Sequence, residues 1–288
     1  MNKRAILFPL ILSLVAAAGV MALAKDVVVE SQWLTGPLRI DGMDQDWQDA
    51  TFLTDGGSKA QYAVKNDGKN LYVLFIFDNP LSSTTLEYTG MRVYFNTEGK
   101  KSKDLGVLFT KKPLETEAVI SELEKRGQPL TDQQKAELRK SKTQVVFAEE
   151  PINEKKVAAP SDPAVKTDPP AYRTARKQRV LYCEFRIPLS RVNEARGIGA
   201  EPGKTIKLGF EWGGMTQQIM RNMIAERSDR SVSAGDRGVR SDAGFGDSES
   251  GQEGSGGFGS TGGGVGELNR DPRYKKQSFW IDLKLAAQ

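Results

Sequence analysis

The chain carries 37 aspartates and glutamates and 41 lysines and arginines, but no histidine. Chemistry that turns on an imidazole is therefore excluded within this chain: His-dependent catalytic triads, His-ligated zinc and His-ligated haem. Carboxylate chemistry, lysine chemistry and oxygen-ligated calcium stay open. Hydrolysis of a glycoside by carboxylates needs two such groups roughly 5 to 10 Å apart in one cleft, and no pair stands out. Neither a nucleophile-elbow motif nor a phosphate-binding glycine loop occurs. Cys183 is the single cysteine, so no intramolecular disulfide can form. Asp78, just past an apolar run, either caps a loop or helps to bind calcium. Trp212 follows Phe210 on an expected strand and either lines a cleft or fills the core. These residue types point to a protein that binds and does not catalyse.

The elements that must position them begin after an export signal. Lys3 and Arg4 precede an apolar stretch from Ala5 to Val20, and Ala22-Leu23-Ala24 has the small-x-small form of a signal-peptidase site. Residues 1–24 therefore read as a signal peptide, and periplasmic or secreted placement is expected. Membrane contact is expected only through this segment, should it stay uncleaved. Without Lys3 and Arg4 the 41 basic residues become 39 against 37 acidic ones, a net charge of +2. That balance gives no electrostatic case for a nucleic-acid partner. About 264 residues remain, enough to bury a core without disulfide staples.

Residues 25–288 read as a single domain, mainly β, an antiparallel β-sandwich with insertions. Leu71–Phe77 is a run of β-branched and aromatic residues after the turn 66–70, so it reads as a buried strand with Tyr62–Val64 as its hairpin partner. Met91–Asn96, Leu105–Thr110, Arg179–Ile187, Thr205–Trp212 and Phe279–Leu285 read as further strands. Residues 113–141 break the pattern. Leu114, Ala118 and Leu123 have helical spacing up to Gly127, and Thr131 to Gln134 resembles a capping box that opens a second helix. A charged helical hairpin is expected there. The five prolines of residues 149–172 mark an extended loop. Residues 228–267, dominated by Gly, Ser and Asp, cannot offset the entropy of ordering, and a disordered loop is expected.

The string Leu38-Arg39-Ile40-Asp41-Gly42-Met43-Asp44-Gln45-Asp46-Trp47 resembles the opening of family 9 carbohydrate-binding modules and their wider relatives, including DOMON-type domains. Asp67 through Asp78 resembles that family's D-x-x-N-L-Y-V strand. Gly90 to Thr97 resembles the strand that carries its ligand cleft, and Glu184 to Ser190 its E-x-x-I-P segment. The resemblance spans about half of the mature chain and implies a β-sandwich. On residue chemistry alone, Gly42 permits a positive φ, Trp47 plugs one end of the core, and Pro188 ends a strand. The family's sugar-stacking tryptophans have no counterpart here. Leu86 stands at one position with Tyr88 two residues on, and the Gly-rich insertion replaces the loop of the other. Tyr88 and Trp212 are the expected ligand-contacting aromatics. The resemblance implies a non-catalytic binding module or envelope scaffold with a carbohydrate or an envelope protein as partner and no cofactor. The alternative it leaves is a haem b-binding electron-transfer domain of the DOMON type, with Met91 or Met215 as ligand in the absence of histidine.

Overall fold

Apolar runs between turns make strands, and the layering of those strands decides which of their faces stay wet. The computed structural model describes residues 28–125, 127–153, 168–191, 196–224 and 272–288. The expected signal peptide and the Gly-rich insertion lie outside them, as does most of the proline-rich stretch. Along the chain the strands are β1 (Val28–Glu30), β2 (Gln32–Trp33), β3 (Leu53–Thr54), β4 (Gln61–Asn66), β5 (Asn70–Phe77) and β6 (Met91–Asn96). They continue as β7 (Gly106–Glu115), β8 (Thr143–Ile152), β9 (Ala171–Lys177), β10 (Val180–Pro188), β11 (Thr205–Gly213) and β12 (Lys276–Lys284). Helix α1 spans Pro80–Thr89, α2 Thr116–Lys125 and α3 Asp132–Leu138.

Two sheets face each other as a sandwich. The first has the order β1-β12-β11-β6-β7-β8 and the second β2-β4-β5-β10-β9, with β3 also on β4. Pairing is antiparallel except where β1 lies parallel to β12 and β2 parallel to β4. The expected purely antiparallel sandwich is thus mixed at one corner, because one extended stretch serves both sheets and changes sheet at Ser31. That corner is tied by the Ser31 Oγ–Asn66 Oδ1 hydrogen bond, and the Asn66 amide donates to Ala286 O at 3.0 Å.

Between the sheets lies an aromatic core. The Phe75 ring on β5 meets Phe210, Phe279 and Trp212 from the opposite sheet at 4.8, 6.2 and 6.4 Å between centroids. The other face of β5 is buried too. Tyr72 and Leu74 join Ala63 and Trp47 in a second cluster, roofed by Leu34, Leu38, Ile40 and Ala50. A strand buried on both faces needs a near-continuous apolar run and cannot alternate, which is why Leu71–Phe77 carries no polar residue. Trp47 therefore seals the outer face of the second sheet, where a plug at the end of the core was expected.

The expected pair of helices is present in residues 113–141, with narrower bounds. β7 and β8 are ten-residue strands paired from Gly106↔Ile152 to Glu115↔Thr143. They carry Leu114 and Glu149–Ile152, expected in a helix and a loop, into a long hairpin. The helices occupy only its tip. Thr116 and Ile120 form the buried side of α2 and Ala118 is exposed, so the buried spacing runs two residues on from Leu114–Ala118. The capping box of α3 is formed by Thr131 and Gln134. The proline-rich stretch ends in strand, because Ala171 and Tyr172 open β9. Helix α1, absent from the sequence reading, starts at Asn79, whose Oδ1 accepts from the Leu81 and Ser82 amides, and stops at Gly90 with φ 67°. Asn79, the residue after Asp78, is thus a helix cap.

Candidate functional site

With the second sheet roofed by its own N-terminal segment, the outer face of the first sheet becomes the place to look. Strand alternation sends Met91, Val93 and Phe95, and likewise Leu208, Phe210, Phe279 and Ile281, into the core. The residues between them face outward, and the register aligns them in rows. Tyr94, Gly209 and Trp280 form the central row. Arg92, Glu211 and Ser278 flank it on one side, and Asn96, Lys207 and Asp282 on the other.

Gly209 is what makes the central row flat. A Cβ there would stand 2.7, 2.7 and 2.8 Å from three carbons of the Trp280 benzo ring. Near-equal distances to three ring atoms place the indole over Gly209, one face on the backbone. Tyr94 lies alongside, 6.0 Å between centroids at 18°. Tyr94 is buried and Trp280 half-buried, so the tyrosine braces the tryptophan. The Lys103 ammonium stands 5.5 Å over the Tyr94 ring.

The flanking rows are ionic. Glu211 is buried; it accepts from Lys103 and lies 3.5 Å from Lys276. Burial alone would raise its pKa, yet Lys103, Lys276 and Arg92 together hold it below the usual carboxylate range. Lys207 bonds Asp282 at 2.5 Å. Charged donors and acceptors thus stand on both sides of one flat aromatic face. This arrangement can stack a planar or pyranose ring and hydrogen-bond its edge.

The residues expected at the site go elsewhere. Trp212 is 0% exposed, its ring 5.4 Å from Phe77. It fills the core and offers no face to a ligand, because the parity of β11 points it inward with Phe210. Tyr88 sits on α1, half-buried against Met215, Met220, Met223 and Tyr274. The two expected aromatics are therefore not brought together at the Trp280 face. Met91 belongs to the main core and Met215 to the Tyr88 cluster. Each thioether is used in packing, so neither Met91 nor Met215 stands free to ligate a haem. Among the described residues no three Cys, Asp or Glu side chains gather as a metal cluster.

Two of the resemblance motifs, Leu38 to Trp47 and Glu184 to Ser190, meet in a clamp on the opposite sheet. Glu184 is 0% exposed and accepts from Trp47 Nε1 at 2.8 Å and from the Asp41 and Gly42 amides at 2.9 Å. Gly42 has φ 79°, and a Cβ there would stand 2.7 Å from the Thr174 carbonyl carbon. Burial pushes Glu184 up to about 7, against the pull of its three donors. A cleft of about 940 Å³ is lined by Lys69, Asn70, Thr97, Arg191 and Lys204 among others, with no aromatic side chain among the described residues. Its Arg191 guanidinium already donates to Gly197 O and Ile198 O.

Trp280 and Gly209 were legible but missed. In Phe279-Trp280-Ile281-Asp282-Leu283 the tryptophan falls on the polar parity, and a glycine inside an apolar strand marks a close approach.

No protein-family model and no curated protein matches the chain. Among solved structures, a family 9 carbohydrate binding module from Caldicellulosiruptor kristjanssonii in complex with glucose aligns with 67% of this chain and 81% of its own, at 13% identity and TM-score 0.35. The same organism's family 9 module in complex with cellotriose aligns with 68% and 80%, at 14% identity and TM-score 0.33. The sandwich is defined by the two sheets themselves, and the functional reading rests on the Trp280 face.

Proposed function

We propose that this chain is an exported, non-catalytic binding module that holds a carbohydrate on the outer face of the first sheet, with a sugar ring stacked on Trp280. The observation that carries the reading is the Trp280 indole lying over Gly209, braced by Tyr94, with an ionic row on either side. A pyranose presents an apolar C–H face and a rim of hydroxyls. The indole suits the first, and charged side chains suit the second. A carbohydrate is favoured over an envelope protein because the aromatic platform spans one ring. A stable protein interface buries about 800 Å² on each partner.

Binding without turnover fits the state of the buried acids. Glu184 and Glu211, the buried carboxylates among the described residues, lie on outer faces of different sheets, each held by donors. Export rests on the signal segment 1–24 and leads to periplasmic or secreted placement.

Residues 25–288 should be screened against immobilised glycans alongside Trp280→Ala. The expected result is saturable binding to one sugar class, weakened at least tenfold in the variant, about 1.4 kcal/mol. Binding of undiminished strength in Trp280→Ala would overturn the reading.

A further inference from the structure

The charges around Trp280 are layered. The acid is sunk and the cations stand above it. The Glu211 side chain is 5% exposed, whereas those of its partners Lys103 and Lys276 are 54% and 64% exposed. Arg92 is half-buried and directly opposite Glu211 in the β6–β11 register. Three cations thus converge on one carboxylate, which a single cation would neutralise. On the other flank Lys207 and Asp282 pair one to one. The six groups carry four positive and two negative charges, and the excess stands on the solvent side.

We infer that the sugar taken by this face is acidic, a uronic acid whose ring stacks on Trp280 and whose carboxylate is met by Arg92, Lys103 and Lys276. The inference rests on the glycan reading above and narrows it. A guanidinium offers a planar fork that matches a carboxylate. The two lysine side chains are exposed, and with three cations on Glu211 either lysine can turn to a ligand while the others still neutralise that buried carboxylate. Glu211 then stays in place as the anion that holds the cations around the platform. Asp282 is the acid of the second flanking row, and Lys207 holds it at 2.5 Å.

The test uses residues 25–288 and matched oligosaccharides: galacturonate, mannuronate and glucuronate oligomers, each beside its carboxyl-reduced counterpart. At least one uronate should bind tenfold or more tightly than its reduced form, with affinity falling steeply between 50 and 300 mM salt. Arg92→Gln combined with Lys276→Gln should bring that preference below threefold, read as the ratio of uronate to reduced-form affinity within the same variant. Circular dichroism would verify the fold of the variant. Equal affinity for acid and reduced forms, or a preference for neutral sugars, overturns this inference and leaves the glycan reading intact. Absence of binding to acidic and neutral sugars alike removes the glycan reading itself.

Discussion

A single missing methyl group shapes the proposed site. Gly209 has no positive φ, so alanine meets no backbone strain there, and the three atoms nearest its Cβ all belong to the indole, at 2.7 to 2.8 Å. Gly209→Ala should therefore lift Trp280 off the sheet and weaken glycan binding at least tenfold with the tryptophan still present. Titration calorimetry decides this, and unchanged affinity would show that the indole's seat is irrelevant. At the opposite sheet, Glu184 makes a prediction about pH. Its folded pKa of about 7 lies above the ordinary 4.5. Between those values the folded protein keeps a proton that the unfolded chain releases. Stability is then full below about pH 4.5 and falls as pH rises to 7, with a slope approaching ~1.4 kcal/mol per pH unit. Glu184→Gln cannot titrate and should flatten that segment. Urea midpoints from about pH 5 to 7.5 compare the two; parallel curves would contradict the assignment.

Elements were legible where burial writes a pattern into the chain. β5, β6, β10, β11 and β12 are apolar or alternating, and the reading found each within a few residues. β8 escaped because two glutamates and a proline follow its short apolar run, and β9 because arginines and a lysine interrupt it. β9 sits at the edge of its sheet, where such residues are at home, and only Tyr172 is fully buried there. Helix α1 escaped because Ser82, Ser83, Thr84 and Thr85 are weak helix formers. Its stability comes from the Asn79 cap, buried Leu86 and the 2.8 Å Glu87–Arg176 ion pair. Asn79→Ala should cost about 1 kcal/mol, read as a shift in urea midpoint. At the hairpin tip, Leu114 and Val145 are 40% and 66% exposed, so this end stands clear of the core. Replacing residues 116–142 with a short turn should cost no more than about 1 kcal/mol, roughly 2–4 °C in melting temperature. It should leave glycan affinity unchanged. A larger loss in either would show that the helices brace the sandwich or reach the ligand.

At the scale of the molecule, three layers explain why one face is left for binding. The N-terminal segment roofs the second sheet through Trp47 and the Glu184 clamp, the two sheets enclose one aromatic core, and the first sheet's outer face stays uncovered by that segment. The resemblance string was the most specific signal in the sequence, and its work is structural: Asp41, Gly42 and Trp47 fasten the roof. The site lies on the other sheet, where cross-strand register unites residues more than a hundred positions apart. That register could not be read from any one strand. Phe75 joins both halves of the core, and Phe75→Ala should cost about 3–5 kcal/mol in a single unfolding transition. The central claim is that a sugar sits on Trp280, and the chain's four tryptophans allow it to be tested directly. Indole Nε1–H signals followed by NMR during titration with the best ligand from the glycan screen would report on each ring, with Trp280→Phe assigning its own peak. The account predicts a saturable shift of the Trp280 signal while the buried Trp47 and Trp212 signals stay in place. Saturable binding that leaves the Trp280 signal unmoved would contradict it.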